Sequence, residues 1–457
     1  MLAGKALSAS TREADELYDR RVNPQWVRLL NALQMNARYT CCSGAELFTA
    51  DGRRILDFLS GYCVHNIGHN HPAILDAIKD ELDRRGPAML QSHVPEHAGA
   101  LAEALCERAG GALTKVFFPS SGSEGVEAAI KFSRAHTGRE GLLYAQGAFH
   151  GLTCGALSLM GDKFWREGFG PMLAGCDEIP FGDLAALEQK LKTKRYAAYF
   201  VEPVQAEAGI RIPDAGYLRA AQALCRRYGT LFVLDEVQTG MYRTGTFLAA
   251  RHFQVDADIV VMAKALSGGL IPSGAVLMRD EIYASVYGSL KRSIVHTSTF
   301  SENALAMRVG LETLRVLEEE HLGERAIEKG EELRARLREA LSDYEMVKDV
   351  RGLGMLGGIE FQAPRKLALR VAFEAFMAIH PGMFGQIVVM RLFRDHGLLT
   401  QICGNNFMVL KVAPPLIVSD EQIDAFVTGM KAVVELMHGS PSFWTEALGL
   451  ARRVANV

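Results

Sequence analysis

Two stretches decide the fold. The first is Leu231-Phe232-Val233-Leu234-Asp235-Glu236-Val237-Gln238-Thr239-Gly240, and the second is Val260-Val261-Met262-Ala263-Lys264-Ala265-Leu266-Ser267-Gly268-Gly269. Each opens as a short apolar run and breaks at a polar residue. Such a run reads as a strand of a parallel sheet buried on both faces. The polar residues that follow it stand at the carboxyl edge of the sheet, where open α/β sheets bind ligands. Two strands thus bring an acid, Asp235, and an amine, Lys264, to one crevice.

Working outward, strands are predicted over 115–118, 141–145, 197–202, 231–235, 259–262 and 274–278. Helical stretches such as 126–135 and 217–228 separate them. That alternation predicts an α/β fold with a mostly parallel sheet covered by helices on both faces. Residues 72–330 form this large domain, and a long helix near 302–320 leads out of it. Residues 1–71 are an N-terminal segment expected to pack with a smaller domain. In it Asn23 caps a helix opened by Pro24, with Trp26, Leu29, Leu30 and Leu33 on one face. A hairpin over 46–60 turns at Asp51-Gly52. Residues 331–457 read as the smaller α+β domain, with strands near 346–351, 356–361 and 407–412. Gly439 and Pro441 stop its last long helix. Beyond them Phe443, Trp444, Ala447, Leu448 and Ala451 line one face of a terminal docking helix.

The 457 residues, 49% of them hydrophobic, fill a large core and exceed one compact domain. A net charge of −3, with both signs interspersed, excludes a nucleic-acid or anionic-membrane footprint. The eight cysteines form no C-x-x-C pair, and no apolar leader follows Met1. Free thiols in a reducing cytoplasm are the expectation. No run reaches bilayer length.

Several short motifs converge on the same edge. Ser120-Ser121-Gly122-Ser123-Glu124 follows a strand and opens a helix, with the spacing of a capping box at Ser121 and Glu124. The free N–H groups of that helix start suit an anion such as a phosphate, although an ordinary capped helix has the same signature. Phe149-His150-Gly151 follows the next strand, and an aromatic side chain there can stack on a flat ring. Alone, Phe149 also reads as core and His150 as structural. Glu202 and Glu207 end another strand; alone, Glu202 reads as a solvated loop acid, while Glu207 stays open as an acid/base. Alternation along an extended chain puts Asp235 and Val237 on one side. Val237 then presses a ring opposite Phe149, Asp235 accepts a pyridinium N–H, and Gln238 donates to a ring hydroxyl. A Schiff-base amine with a carboxylate that holds a pyridinium is what pyridoxal 5'-phosphate (PLP) chemistry requires. Asp235 as a Mg²⁺ ligand of a nucleotide site is disfavoured by the lack of a G-x-x-x-x-G-K-[ST] loop.

Two motifs are set aside. Gly352, Gly354 and Gly357 match the dinucleotide pattern G-x-G-x-x-G, but a strand rather than a capped helix follows. His65, His69 and His71 have no carboxylate or thiolate at a familiar spacing to complete a metal site, so no metal is expected.

Together these residues resemble the class III (ω-) PLP-dependent aminotransferases of fold type I, over roughly residues 40–437. The match runs through Asn66–Pro72, Ser120–Glu124, Phe149–Gly151, Glu202–Glu207, Asp235–Gly240, Lys264–Gly269 and Ala413–Pro415. The resemblance implies that Lys264 carries the cofactor and shuttles the proton, with Asp235 as its catalytic partner. It implies a phosphate on Gly122 and Ser123, a ring between Phe149 and Val237, and cofactor contacts from His150, Glu202 and Gln238. Ser298 and Thr299 match the residues that reach the partner subunit's phosphate, so a homodimer with shared sites follows. Substrate contacts are implied at Tyr62, Leu152, Glu207 and Lys411.

Three departures bear on substrate. Leu152 stands where ornithine- and acetylornithine-type members carry Arg, so the amine lacks a carboxylate at that end. Lys411 replaces the arginine before Ala413, and pairs either with a 2-oxo acid or with Glu207. The apolar stretch 364–389 reads as dimer packing or, alternatively, as a pocket wall for a bulky apolar substrate such as a hopanoid side-chain aldehyde. The expected activity is amino transfer between a primary amine or aldehyde, putrescine being the plain guess, and a glutamate/2-oxoglutarate pair. Other PLP reactions (racemase, aminomutase, decarboxylase), a silent scaffold and a nicotinamide dehydrogenase are the alternatives.

Overall fold

Asn23 opens the first well-defined helix start: its Oδ1 accepts the N–H groups of Gln25 and Trp26 at 3.1 and 3.2 Å, ahead of helix Pro24–Ala32. The computed structural model describes residues 11–90 and 92–455. Leu33 is buried, but Trp26, on the same predicted stripe, is 45% exposed at the far end of the helix.

Strands β1 (Tyr39–Ser43), β2 (Glu46–Thr49) and β3 (Arg54–Asp57) form an antiparallel meander, with the predicted turn between β2 and β3. The second strand is shorter than predicted, because the chain curls away after Asp57. Seven strands build the central sheet: β4 (Lys115–Phe117), β5 (Gly141–Ala145), β6 (Cys176–Ile179), β7 (Tyr196–Val201), β8 (Leu231–Asp235), β9 (Ile259–Met262) and β10 (Ala275–Met278). Their order is β4-β10-β9-β8-β7-β5-β6. Only β10 runs against its neighbours. β6 has no counterpart in the sequence reading, since Asp177 and Glu178 break its apolar pattern; as an edge strand it tolerates them.

Alternate side chains of the central strands feed separate cores. Tyr199, Val201, Phe232 and Leu234 pack on one face, and Ala198, Phe200 and Val233 on the other. That is why these strands read as unbroken apolar runs. Each such side chain contributes roughly 1.5–3 kcal/mol by leaving water.

A third sheet combines β11 (Val347–Leu353), β12 (Leu356–Phe361), β14 (Gln401–Cys403) and β15 (Asn406–Val412), while β13 (Leu398–Leu399) joins β3 in parallel. Gly352 faces Gly357 across the β11–β12 hairpin, so the dinucleotide-like glycines sit in a strand turn.

The stretch 364–389 buries part of its apolar surface within the chain and leaves Leu367 and Val371 exposed. It forms helix Leu367–Ile379 and the start of helix Phe384–His396, set at 112°. Phe373 and Phe384 meet Trp444 of helix Pro441–Ala455, with centroids 6.3 and 6.5 Å apart. Its buried aromatics thus cover the chain's own terminal helix, where Phe443, Trp444, Ala447 and Ala451 are buried. Arg391 and Arg394 pair with Glu446 across this contact. Among the described residues no single helix is long and apolar enough to cross a membrane.

Candidate active site

The carboxyl ends of β8 and β9 open on a cavity of about 400 Å³. Asp235 and Lys264 line it together, with Gly122, Ser123, Phe149, His150, Glu202, Val237 and Gln238. Nine predicted positions therefore meet in one space. Ser298 and Thr299 lie outside the lining, in the segment between 293 and 303.

At one end stands helix Gly122–Thr137, four residues longer at its start than predicted. Ser121 caps it by accepting the Glu124 N–H at 3.2 Å. The Glu124 carboxylate turns back to the Ser120 N–H at 2.6 Å, so the capping box closes one residue early. The Gly122 and Ser123 N–H groups have no acceptor among the described residues. Two glycines shape this end. A Cβ on Gly122 would stand 3.0 Å from a Val237 methyl. Gly151, at φ +119°, lies so close to Ser123 that a Cβ would meet its Oγ at 2.3 Å.

At the other end Asp235 finishes β8, 5% exposed. Its Oδ1 accepts the Val237 N–H at 3.0 Å, and its Oδ2 lies 2.8 Å from His150 Nδ1. The chain has already left the strand there, so a turn, not extended alternation, places Val237. Burial favours neutral His150, but the Asp235 bond and the charges of Asp235 and Glu202 outweigh it and hold the imidazole above its ordinary value. His150 Nε2 is buried without a partner among the described residues. Glu202 is not a solvated loop acid: it is 5% exposed and accepts the Phe149 N–H at 3.0 Å. Burial pushes its carboxyl up to about 7.

Lys264 follows β9 at φ +42°, a left-handed conformation that costs a lysine of order 1–3 kcal/mol. Burial holds its ammonium below the ordinary lysine value, against the pull of Glu207 and Asp235, which favours the neutral nucleophile.

Beyond the lining, Glu207 is fixed by Gln238 Nε2 and the Gly404 N–H, each at 2.8 Å, and by Lys411 Nζ. Gln238 gives one amide hydrogen to Glu207, and its own Oε1 is buried without a partner among the described residues. Burial opposes ionisation of Glu207, but the Lys411 charge and these bonds win, taking it down to about 2. Lys411, fully buried, is held above its usual value by the same pairing. Its Nζ also lies 5.4 Å from the ring centre of Tyr62. Leu152 is 53% exposed, with its N–H on Ser123 Oγ at 3.3 Å.

Three groups of residues escape sequence reading. Glu236 is buried and accepts the Ala249 and Ala250 N–H groups, which fixes the loop after Gly240. Arg243, fully buried, donates to Ser60 Oγ, Asn66 Oδ1 and the carbonyls of Met355 and Pro414. It pins the turn Ser60–Cys63, whose four residues all have φ between 47° and 69°. Asp57 supports that turn through the Leu59 and Ser60 N–H groups, and also accepts from His69, on which His65 stacks. Partners so distant along the chain leave no spacing signal, and Arg243, between Tyr242 and Thr244, carries no local hint of its burial.

Comparison with known proteins agrees with this geometry. The class-III aminotransferase family matches residues 30–434. The aminotransferase PigE of Serratia sp. (strain ATCC 39006) is 36% identical over 453 residues, 92% of this chain; the chain spans about half that protein's length, 53%. The acetylornithine aminotransferase of Mycolicibacterium smegmatis is 38% identical over 392 residues, covering 86% of this chain and 92% of that protein. The ornithine aminotransferase of Toxoplasma gondii superposes with a TM-score of 0.83 at 28% identity, over 95% of this chain and 97% of that one. A second structure of that enzyme has PLP at partial occupancy in its active site. Family coverage and superposition together establish that this chain belongs to the class-III aminotransferases, PLP-dependent enzymes of fold type I.

Proposed function

We propose that the cavity holds PLP, with Lys264 as its carrier, and that the chain exchanges an amino group between a primary amine or aldehyde and an amino acid/2-oxo acid pair. One observation carries this reading: a half-buried amine and a buried carboxylate share a cavity with unpartnered helix-start N–H groups and two apolar walls. The residues fit the group. Gly122 and Ser123 offer N–H groups to a phosphate, Phe149 and Val237 bracket a flat ring, and the unpartnered His150 Nε2 and Gln238 Oε1 lie among these residues. When bound, PLP supplies an aldehyde carbon and a ring that takes up the electron pair released at the substrate carbon.

The chain supplies the rest. Asp235, held by His150, would keep a proton on the ring nitrogen. Lys264 Nζ takes the proton from the amine-bearing carbon and returns one in the second half of the exchange. Leu152 gives a substrate carboxylate nothing to bind, so the amine carries none at that end. A 2-oxo acid, with 2-oxoglutarate the first choice, reaches Lys411 only by displacing Glu207. Exposed apolar residues flank Ser298 and Thr299: Leu290 is 95%, Ile294 78% and Phe300 65% exposed. This supports a homodimer in which each copy's Ser298 and Thr299 reach the other's phosphate site. Eight cysteines, all unpaired, support a cytoplasmic location.

The test is spectroscopic. The purified protein should show a visible cofactor band that disappears on adding an amine alone and returns with a 2-oxo acid. Lys264→Ala should lose both the band and turnover while keeping its thermal transition. Turnover retained in Lys264→Ala would refute the assignment.

A further inference from the structure

Trp165 lies between the two halves of the site. Its indole meets Phe149 edge-on, with ring centres 5.5 Å apart at 89°, and Phe164 at 5.3 Å and 80°. Its Nε1 donates to Asn405 Oδ1 at 2.7 Å. Asn405 in turn donates from Nδ2 to the Gly147 carbonyl at 3.0 Å and from its backbone N–H to the Glu207 carbonyl at 2.9 Å. A Cβ on Gly404 would stand 3.0 Å from Glu207 Oε2 and 3.4 Å from Trp165 Cζ2. The indole edge and the Glu207 carboxylate thus flank one point, which only a glycine leaves open.

The wall that begins with Phe149 in the cavity therefore continues outward as Trp165. Beside it Phe164 is 65% exposed, while the Glu207 carboxylate and the Asn405 amide border the same indole edge. Lys411 is paired with Glu207, and Arg166, three residues before Phe169, donates to Tyr144 Oη at 3.1 Å. A carboxylate-bearing chain gains nothing from such a wall, whereas a hydrocarbon chain gains contact along its whole length.

We infer that Trp165 is a specificity-determining residue: its indole is the surface on which the carbon chain of an apolar primary amine, or of the matching aldehyde, lies, and the Asn405 bond fixes that surface. The inference rests on the aminotransferase reading of the site and names its substrate class. Each methylene that leaves water on the wall should raise kcat/KM by roughly two- to fourfold.

Two variants separate the surface from its bond. Trp165→Gln keeps a donor for Asn405 and removes the aromatic face; Trp165→Phe keeps the face and removes the donor. Butylamine, hexylamine and octylamine are compared, with 2-oxoglutarate or pyruvate as acceptor, in holoenzyme whose visible band is intact. Trp165→Ala takes the place of Trp165→Gln if the latter loses that band. Amine binding is followed separately through the change in the band. The wild type should favour octylamine over butylamine by at least tenfold. Trp165→Gln should lose most of that ratio in both binding and turnover, and Trp165→Phe should hold it within threefold. A flat wild-type series, an unchanged ratio in Trp165→Gln, or an equal loss in Trp165→Phe overturns the inference. A wild type that transfers from no amine at all is a different result, and it overturns the aminotransferase reading instead.

Discussion

His150 Nδ1 stands 2.8 Å from Asp235 Oδ2, and both groups are sealed from solvent. A charge-assisted bond of this kind is worth about 1.5–3 kcal/mol, and it fixes the carboxylate proposed to face the ring nitrogen. His150→Asn keeps a polar group but removes the imidazole. It should cost about 10- to 100-fold in kcat/KM and speed cofactor loss during dialysis. Unchanged cofactor retention would remove His150 from the support of Asp235.

Leu152 governs the opposite requirement. Leu152→Arg places a guanidinium beside Ser123 at the mouth of the site. It should improve kcat/KM for ornithine-like amines by about tenfold, equivalent to about 1.4 kcal/mol, and do nothing for butylamine. No gain with any carboxylate-bearing amine would sink the account of the missing carboxylate.

Most of this architecture is legible in the sequence, for identifiable reasons. Asp235 and Lys264 terminate runs that alternate between two cores, and the sheet edge does the rest. Gln238 and Val237 show the limit. Both positions reach the cavity, yet Val237 arrives by a turn bonded to Asp235, and Gln238 spends its amide on Glu207. Local pattern fixes where a residue stands; which partner it takes depends on groups such as Gly404 and Lys411, about two hundred positions away. The stretch 364–389 was illegible for the same reason. Phe373 and Phe384 find Trp444, some sixty to seventy positions on, while Leu367 and Val371 stay exposed.

Lys411 and Glu207 form a buried pair whose separation leaves one charge stranded. Lys411→Met should destabilise the protein by about 3–5 kcal/mol, and Glu207→Gln added to it should recover much of that loss. Thermal denaturation of the two single variants and the double variant measures the coupling. Strict additivity would mean that the pair contributes nothing specific.

Glu202 makes stability depend on pH. Its carboxyl is pushed up to about 7, by burial first and by the Asp235 charge as well, from an ordinary 4.5. The unfolded chain therefore releases this proton first as pH rises. The favourable contribution is complete below about 4.5 and is lost through about 7. Glu202→Gln should flatten that decline, leaving the variant relatively more stable at pH 7.5 by about 1–3 kcal/mol. Glu236, raised to about 7 by the same burial, remains in the variant, so some decline persists. Parallel melting-temperature profiles for wild type and variant across this window would refute the assignment.

The left-handed run Ser60–Cys63 limits how this enzyme can be re-engineered. Tyr62 sits beside Lys411, an obvious position to randomise for new substrates, yet its φ of +62° already opposes most L-residues by about 1–2 kcal/mol. Valine, isoleucine or threonine there would add crowding at the β-carbon, so a saturation library would read as loss of expression before it read as altered selectivity. Asparagine, aspartate and glycine escape most of that penalty, and evolvability at this position narrows to the few side chains that this handedness admits.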